Sequence, residues 1–157
     1  MRKRIMNREP RDILPSNQQW LHLDALADVE VTSEDAAHPI ESALMPGAGS
    51  GWRAEQPGQQ TVRLLFHEPQ TIKRMNLVFQ EHERKRTQQF VLRWSSDAGR
   101  SYREIVRQQY NFSPPDTTSE IEDYTIKLDG LTTLELDIIP DISGGPARAS
   151  LNQLRLE

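Results

Sequence analysis

The chain contains no cysteine, which excludes disulfides, thiolate metal sites and cysteine nucleophiles and leans toward a reducing compartment. It also has no apolar run near the ~18 residues of a membrane span. Its start, MRKRIMNREPRDILPS, is positively charged but lacks the apolar segment that would follow in a secretory signal. These absences set the expectation of a cytoplasmic protein with no membrane partner. Aromatic residues are only 6% and hydrophobic residues 36% of the composition, and mean hydropathy is -0.69. No long stretch carries the period of an amphipathic helix. A formal net charge of -4 gives no global basic footprint for nucleic acid.

What is present is alternation. At 157 residues the chain has the length of one domain with a real core. Period-two runs predict strands over Asp28–Ser33, Gln60–Phe66, Ile72–Gln80, Gln88–Ser95, Tyr102–Gln109, Ile121–Leu128, Thr133–Ile139 and Ala149–Leu156. TVRLLF sets Val62, Leu64 and Phe66 on one face, and MNLVF does the same with Met75, Leu77 and Phe79. Before the first strand, Trp20, Leu23 and Leu26 recur at three-residue spacing and predict a short helical turn. About eight short strands and no long helix point to an all-β jelly-roll sandwich over 28–157, with a short N-terminal extension over 1–27 whose basic start reads as a surface tail.

FVLRWSSDAGRSYREIV poses a chemical question. Ser95, Ser96 and Asp97 could be a nucleophile and its acid, or the turn of a hairpin. No G-x-S-x-G elbow surrounds the serines, and nothing ties any of the four histidines to them. Ser and Asp bond their own backbone and Gly99 accepts positive φ, so the segment reads as a turn. The other connections divide by length. HEPQ, SDAG and LDGL are tight, whereas residues 32–58, EHERKRT, YNFSPPDTTSE and PDISGGPAR are long and chemically varied. If consecutive strands from Gln60 onward run antiparallel, the long connections share one end of the sandwich, and such a loop cluster on a rigid scaffold is where function sits.

These segments resemble the discoidin, or coagulation factor 5/8 type C, domain and its relatives among galactose-binding-like carbohydrate-binding modules. The resemblance spans about 28 to 157. FVLRWSSDAGRSYREIV resembles the family's strand, Ser-x-Asp-Gly turn and following strand, with Ala98 inserted before Gly99. HPIESALMPGAGSGWRA is similar to the approach to the family tryptophan, here Trp52. QTVRLLFHEPQTIKRMNLVF and LELDIIPDISGGPARASLNQLRLE match the paired and closing strands. The resemblance implies a jelly roll that binds ligands without catalysing a reaction. It also implies sugar binding through rim loops, with a core position for Trp52. The family's calcium site lies near an Asp-Gly ahead of that tryptophan. Met45 stands about where the aspartate would be, so neither a metal nor a cofactor is expected.

Six rim residues are the candidate ligand contacts: His38, Arg84, Arg86, Asn111, Phe112 and Asp141. His38 could bond a hydroxyl. Arg84 and Arg86 carry donors suited to hydroxyls, carboxylates or phosphates. Arg86, next to a strand start, is the better oriented. Tyr110 and Phe112 flank Asn111; they either face outward as a sugar-stacking platform or fold inward as loop anchors. Asp141 and Arg148 bracket Gly144-Gly145, a turn without the helix that a phosphate cradle needs. Glu120, Glu122 and Asp123 read as solvated carboxylates at a strand start. The expected function is a non-enzymatic binding module, with a carbohydrate ligand as first reading and a protein partner as the alternative. Nucleic-acid binding through RKR at the start and ERKR in the loop is a third reading, disfavoured by the overall charge.

Overall fold

The computed structural model describes residues 20–47 and 50–157. The basic segment over residues 1–19, with its RKR triplet, lies outside the described residues. The chain forms α1 (Leu23–Leu26), β1 (Ala27–Val31), α2 (Glu41–Leu44), β2 (Trp52–Pro57), β3 (Gln60–Gln80) and β4 (Arg86–Ser95), then β5 (Arg103–Phe112), β6 (Ser119–Ile139), β7 (Arg148–Leu151) and β8 (Gln153–Leu156). It is an all-β jelly-roll sandwich with eight strands. The short helical turn predicted around Leu23 and Leu26 is α1. Leu23 is buried in the core, and the Leu21 N–H donates to the Leu156 carbonyl, so the last residues of the extension pack on the body.

The strand order is β1-β3-β6-β4-β5, with β8 also pairing to β3; β2 and β7 form a separate antiparallel pair. Two corrections concern β3 and β6. Four predicted strands merge into these two, each 21 residues long and antiparallel to the other. HEPQ and LDGL are therefore not hairpin turns. They are facing bends, where Gln70 pairs Leu131 and the register breaks on both sides. Extra residues at such breaks bend a strand and strengthen its twist, which lets one strand serve two layers. The first half of β3 pairs β1 and the second half of β6; its second half pairs β8 and the first half of β6.

Because each long strand folds over, its two halves face one another across the core. Phe79 of the second half of β3 lies 5.1 Å from Phe90 of β4 by ring centroid, an aromatic contact between the layers. Val62, Leu64, Phe66, Met75, Leu77 and Phe79 are all buried, as are Leu134, Leu136 and Ile138. The alternation in the sequence thus marks the core face correctly even where the strand boundaries differ. Strand β2 was not predicted, because WRAEQP has only two buried positions; the closing strand is split into β7 and β8 at Asn152.

The β4–β5 connection is a hairpin turn, as expected. Ser95 Oγ donates to Asp97 at 2.6 Å and accepts from the Asp97 and Gly99 N–H groups. The Ser101 hydroxyl, the Ser95 hydroxyl and the Ser101 N–H all donate to Asp97, and these bonds hold its carboxyl well below the usual carboxylate range. The serine and its acid are consumed in holding the turn. Both Ala98 and Gly99 take positive φ there.

Candidate functional site

Although two pairs of expected strands are continuous, the connections after β3, β5 and β6 come together. A strand that bends over the sandwich returns to the end where it began, so the loops on either side of β3 and β6 still meet. Arg86 fastens three of them. Its Nε donates to Glu81 at 2.7 Å, and its Nη1 donates to the Pro140 carbonyl at 2.8 Å and to Gln88 at 3.1 Å. Its guanidinium lies 4.7 Å from the Phe112 ring centre, within cation–π range. The Glu81 N–H bonds the Thr118 carbonyl, and the Ile142 N–H bonds the Thr87 carbonyl. Residues 81–85, 113–118 and 140–147 therefore converge around one buried cation.

Arg86 is 3% exposed and Phe112 is 0% exposed. Expected as exposed rim contacts, the two are instead buried, at the floor of a depression that Asn111 and Asp141 also line. Three Arg86 bonds go to Glu81, Gln88 and Pro140, Nη2 has no hydrogen-bond partner among the described residues, and the buried Phe112 ring already carries the guanidinium against it. Burial raises the Glu81 pKa, but the bonds from Arg86 and from the Glu83 and Arg84 N–H groups outweigh it and hold the carboxyl below its usual range. Removing Arg86 would leave that carboxylate partly buried without its counter-ion, so its replacement perturbs the architecture of the rim.

Glu120 is also a correction. It is 2% exposed, not solvated, and accepts from Gln88 at 3.2 Å across the two layers. Desolvation, with help from adjacent Glu122, pushes its carboxyl up to about 8, so it holds its proton at neutral pH. It lies inside the sandwich, where a substrate has no access to it. Trp52 is 1% exposed and its Nε1 donates to the Ser33 carbonyl at 3.1 Å, the core role anticipated for it.

The remaining candidates separate along the rim. Asn111 is exposed and accepts from the Thr87 hydroxyl at 2.7 Å. Asp141 accepts from the hydroxyl and the N–H of Ser143, which lower its pKa and close the turn. Both border a shallow depression of about 550 Å³. His38 and Arg84 lie elsewhere, in two lobes of a single groove. The first lobe, about 170 Å³, is lined by His38, Trp52, Arg53, Gln80, His82 and Asn152 among others. The second, about 610 Å³, is lined by Arg84, Lys85 and Pro146. Arg53, Glu81, Glu83 and Arg148 line both.

The backbone assembles this groove from distant segments. The Arg53 N–H bonds the His38 carbonyl, the Asp35 N–H bonds the Arg53 carbonyl, and the Asn152 N–H bonds the Val78 carbonyl. Strand β2 alternates, so burying Trp52 and Ala54 turns Arg53 outward. Arg53, Gln80 and Asn152 were missed by the sequence reading, and Arg148 was noted only for its turn. Recognising WRAEQP as a strand would have exposed Arg53. Among the described residues no group of three or more His, Asp or Glu side chains is placed to hold a metal ion.

Solved structures share this architecture. A family 32 carbohydrate-binding module from Clostridium perfringens NanJ, solved with galactose, superposes with TM-score 0.63 at 11% identity, covering 87% of this chain and 96% of that one. The chain has the galactose-binding-like, discoidin-type fold. A pectin-binding carbohydrate-binding module matches with TM-score 0.61 at 17% identity, covering 84% of this chain and 90% of that one. A chain from the structure of reduced XRCC1 bound to the DNA polymerase β catalytic domain matches with TM-score 0.60 at 15% identity, covering 84% and 95%. No protein-family model and no curated protein matches the sequence.

Proposed function

We propose that the chain is a non-catalytic carbohydrate-binding module that holds its ligand in the two-lobed rim groove. The observation that carries this reading is the groove itself. Four separate segments converge on it, and it presents His38, Arg53, Gln80, His82, Arg148 and Asn152 around one concave surface. These side chains offer hydrogen-bond donors, and Gln80 and Asn152 offer acceptors as well, which is what orienting a polyhydroxylated ligand requires. The fold adds support, since structures similar to it are described as sugar-binding modules. The absence of cysteine favours a reducing compartment, so a cytoplasmic site of action remains part of the proposal.

A protein partner is the second reading, favoured by the likeness to a chain in a protein–protein complex. Thermal unfolding against a glycan panel, with sucrose as the exclusion control, separates the two. A sugar present at about a hundredfold over its Kd adds about 2.7 kcal/mol, which raises Tm by several degrees for a domain of this size. One glycan that stabilises clearly beyond sucrose supports the module. A flat panel, together with a single stoichiometric protein captured from its native lysate, supports the second reading.

A further inference from the structure

The groove's charge and its lack of an aromatic face narrow the ligand class. Most arginines of the described fold are neutralised internally or stack on a ring. Arg63 bonds Glu30 and Glu135, Arg74 bonds Asp123, Arg93 bonds Glu135 and Asp137, and Arg107 bonds Glu104; Arg103 stacks on Trp94. Arg100, in the hairpin turn, is exposed without an ion pair among the described residues, but only singly, whereas the groove gathers several such cations together. Arg53, Arg84, Lys85 and Arg148 are exposed, and none forms an ion pair among the described residues. The carboxylates on this rim do not cancel them. Glu81 is committed to Arg86. Asp35 lies 3.6 Å from His38, and its carboxyl is lowered first by the Ala37 N–H, then by His38, with Arg148 the last contributor. Among the described residues Glu83 lines the groove without a salt bridge, and Glu55 shares the outward face of β2 with Arg53, two carboxylates against four cations. An excess of unneutralised positive charge has therefore been gathered at one end of a chain whose net charge is -4.

The second observation concerns stacking. A neutral sugar in water gains much of its affinity from an aromatic face against its C–H surface. Among the described residues Trp52 is the only Phe, Tyr or Trp that borders either lobe, and it is buried. What the groove has instead is guanidinium forks, which match carboxylates bidentately and bond neutral hydroxyls less strongly. The two lobes share Arg53 and Arg148, so a ligand longer than one ring could pass both arginines. An oligonucleotide would also be drawn to positive charge, but it would lack the stacking platforms that single-stranded binders use.

We infer that the groove takes an acidic oligosaccharide, one whose uronic-acid carboxylates are held by Arg53 and Arg148 with Arg84 and Lys85 extending the site. This deepens the carbohydrate-binding reading and rests on it.

The test is titration calorimetry with oligogalacturonate, oligomannuronate and a glucuronate-containing oligosaccharide, each beside its methyl-esterified form, at low and moderate salt. The acid form of at least one is expected to bind roughly tenfold or more tighter than its ester, a difference of about 1.4 kcal/mol. That preference should shrink as salt rises and disappear in Arg53→Ala/Arg148→Ala. Both arginines are exposed, so that variant should keep the wild-type Tm; Arg53→Gln/Arg148→Gln is the fallback if it does not. Equal affinity for acid and ester forms would overturn the acidic ligand and leave carbohydrate binding standing. So would binding confined to neutral sugars. Binding of a short oligonucleotide and none of the glycans would assign the cations to phosphate and overturn both readings. Silence toward every glycan would also overturn both.

Discussion

The side chains that decide this rim are polar groups removed from water. Arg86 and Glu120 both enter the interior from strand starts, where the sequence suggests a ligand contact and a solvated carboxylate. Burial is met in two ways, since Arg86 pairs with Glu81 while Glu120 sheds its charge by keeping a proton. The pH dependence follows. In the unfolded chain Glu120 titrates near its ordinary 4.5, and in the folded state near 8. Below 4.5 both states are protonated and its stabilisation is complete. As pH rises toward 8 the unfolded state ionises freely while the folded state resists, so stability falls across that window. Glu120→Gln keeps the amide-compatible contact with Gln88 and removes the titration. Its Tm is expected to exceed that of wild type increasingly between those two pH values; parallel Tm curves for the two proteins would contradict a protonated Glu120.

At the scale of elements, the first lobe depends on how closely β2 approaches the β7–β8 junction. Gly51, just before β2, has φ +89, and a Cβ there would meet the Asn152 Cα and the Leu151 carbonyl oxygen, each at 2.7 Å. Gly58, at the other end of β2, has φ +88 and open space around it. Replacing either by alanine imposes left-handed strain of roughly 1–2 kcal/mol, so the pair isolates the contact. Gly51→Ala should cost clearly more in chemical denaturation than Gly58→Ala and should weaken glycan binding. Equal losses would mean that the strand and the junction part without cost.

The same scale shows what the sequence could reveal. The core faces of β3, β4 and β6 were legible because alternation depends only on which residues avoid water. The continuity of β3 and β6 was not, since Pro69 and Gly130 signal turns whether the chain reverses in one sheet or bends from one layer into the other. At the rim, His38 and Arg84 fall in the groove, but the inward turn of Arg86 and Phe112 was hidden. That turn depends on the Pro140 carbonyl and the Phe112 ring arriving from distant segments, and no local pattern records such a meeting.

Taken whole, the molecule is a rigid sandwich with unlike ends. One end carries the bends of β3 and β6 and the Ser95–Asp97 turn; the other carries the long loops and the groove, with Arg53, Arg84, Lys85 and Arg148 on it. The central claim is that the second end binds glycans. Amide chemical-shift mapping during titration with acidic oligosaccharides tests it most directly, because it reports where binding occurs as well as whether it does. The account predicts saturable shifts at Arg53, Gln80, His82, Arg148 and Asn152, with Asp97–Ser101 and Gly130 unmoved. Shifts centred on Asp97–Ser101 and Gly130, or no saturable shifts with any glycan, would contradict it.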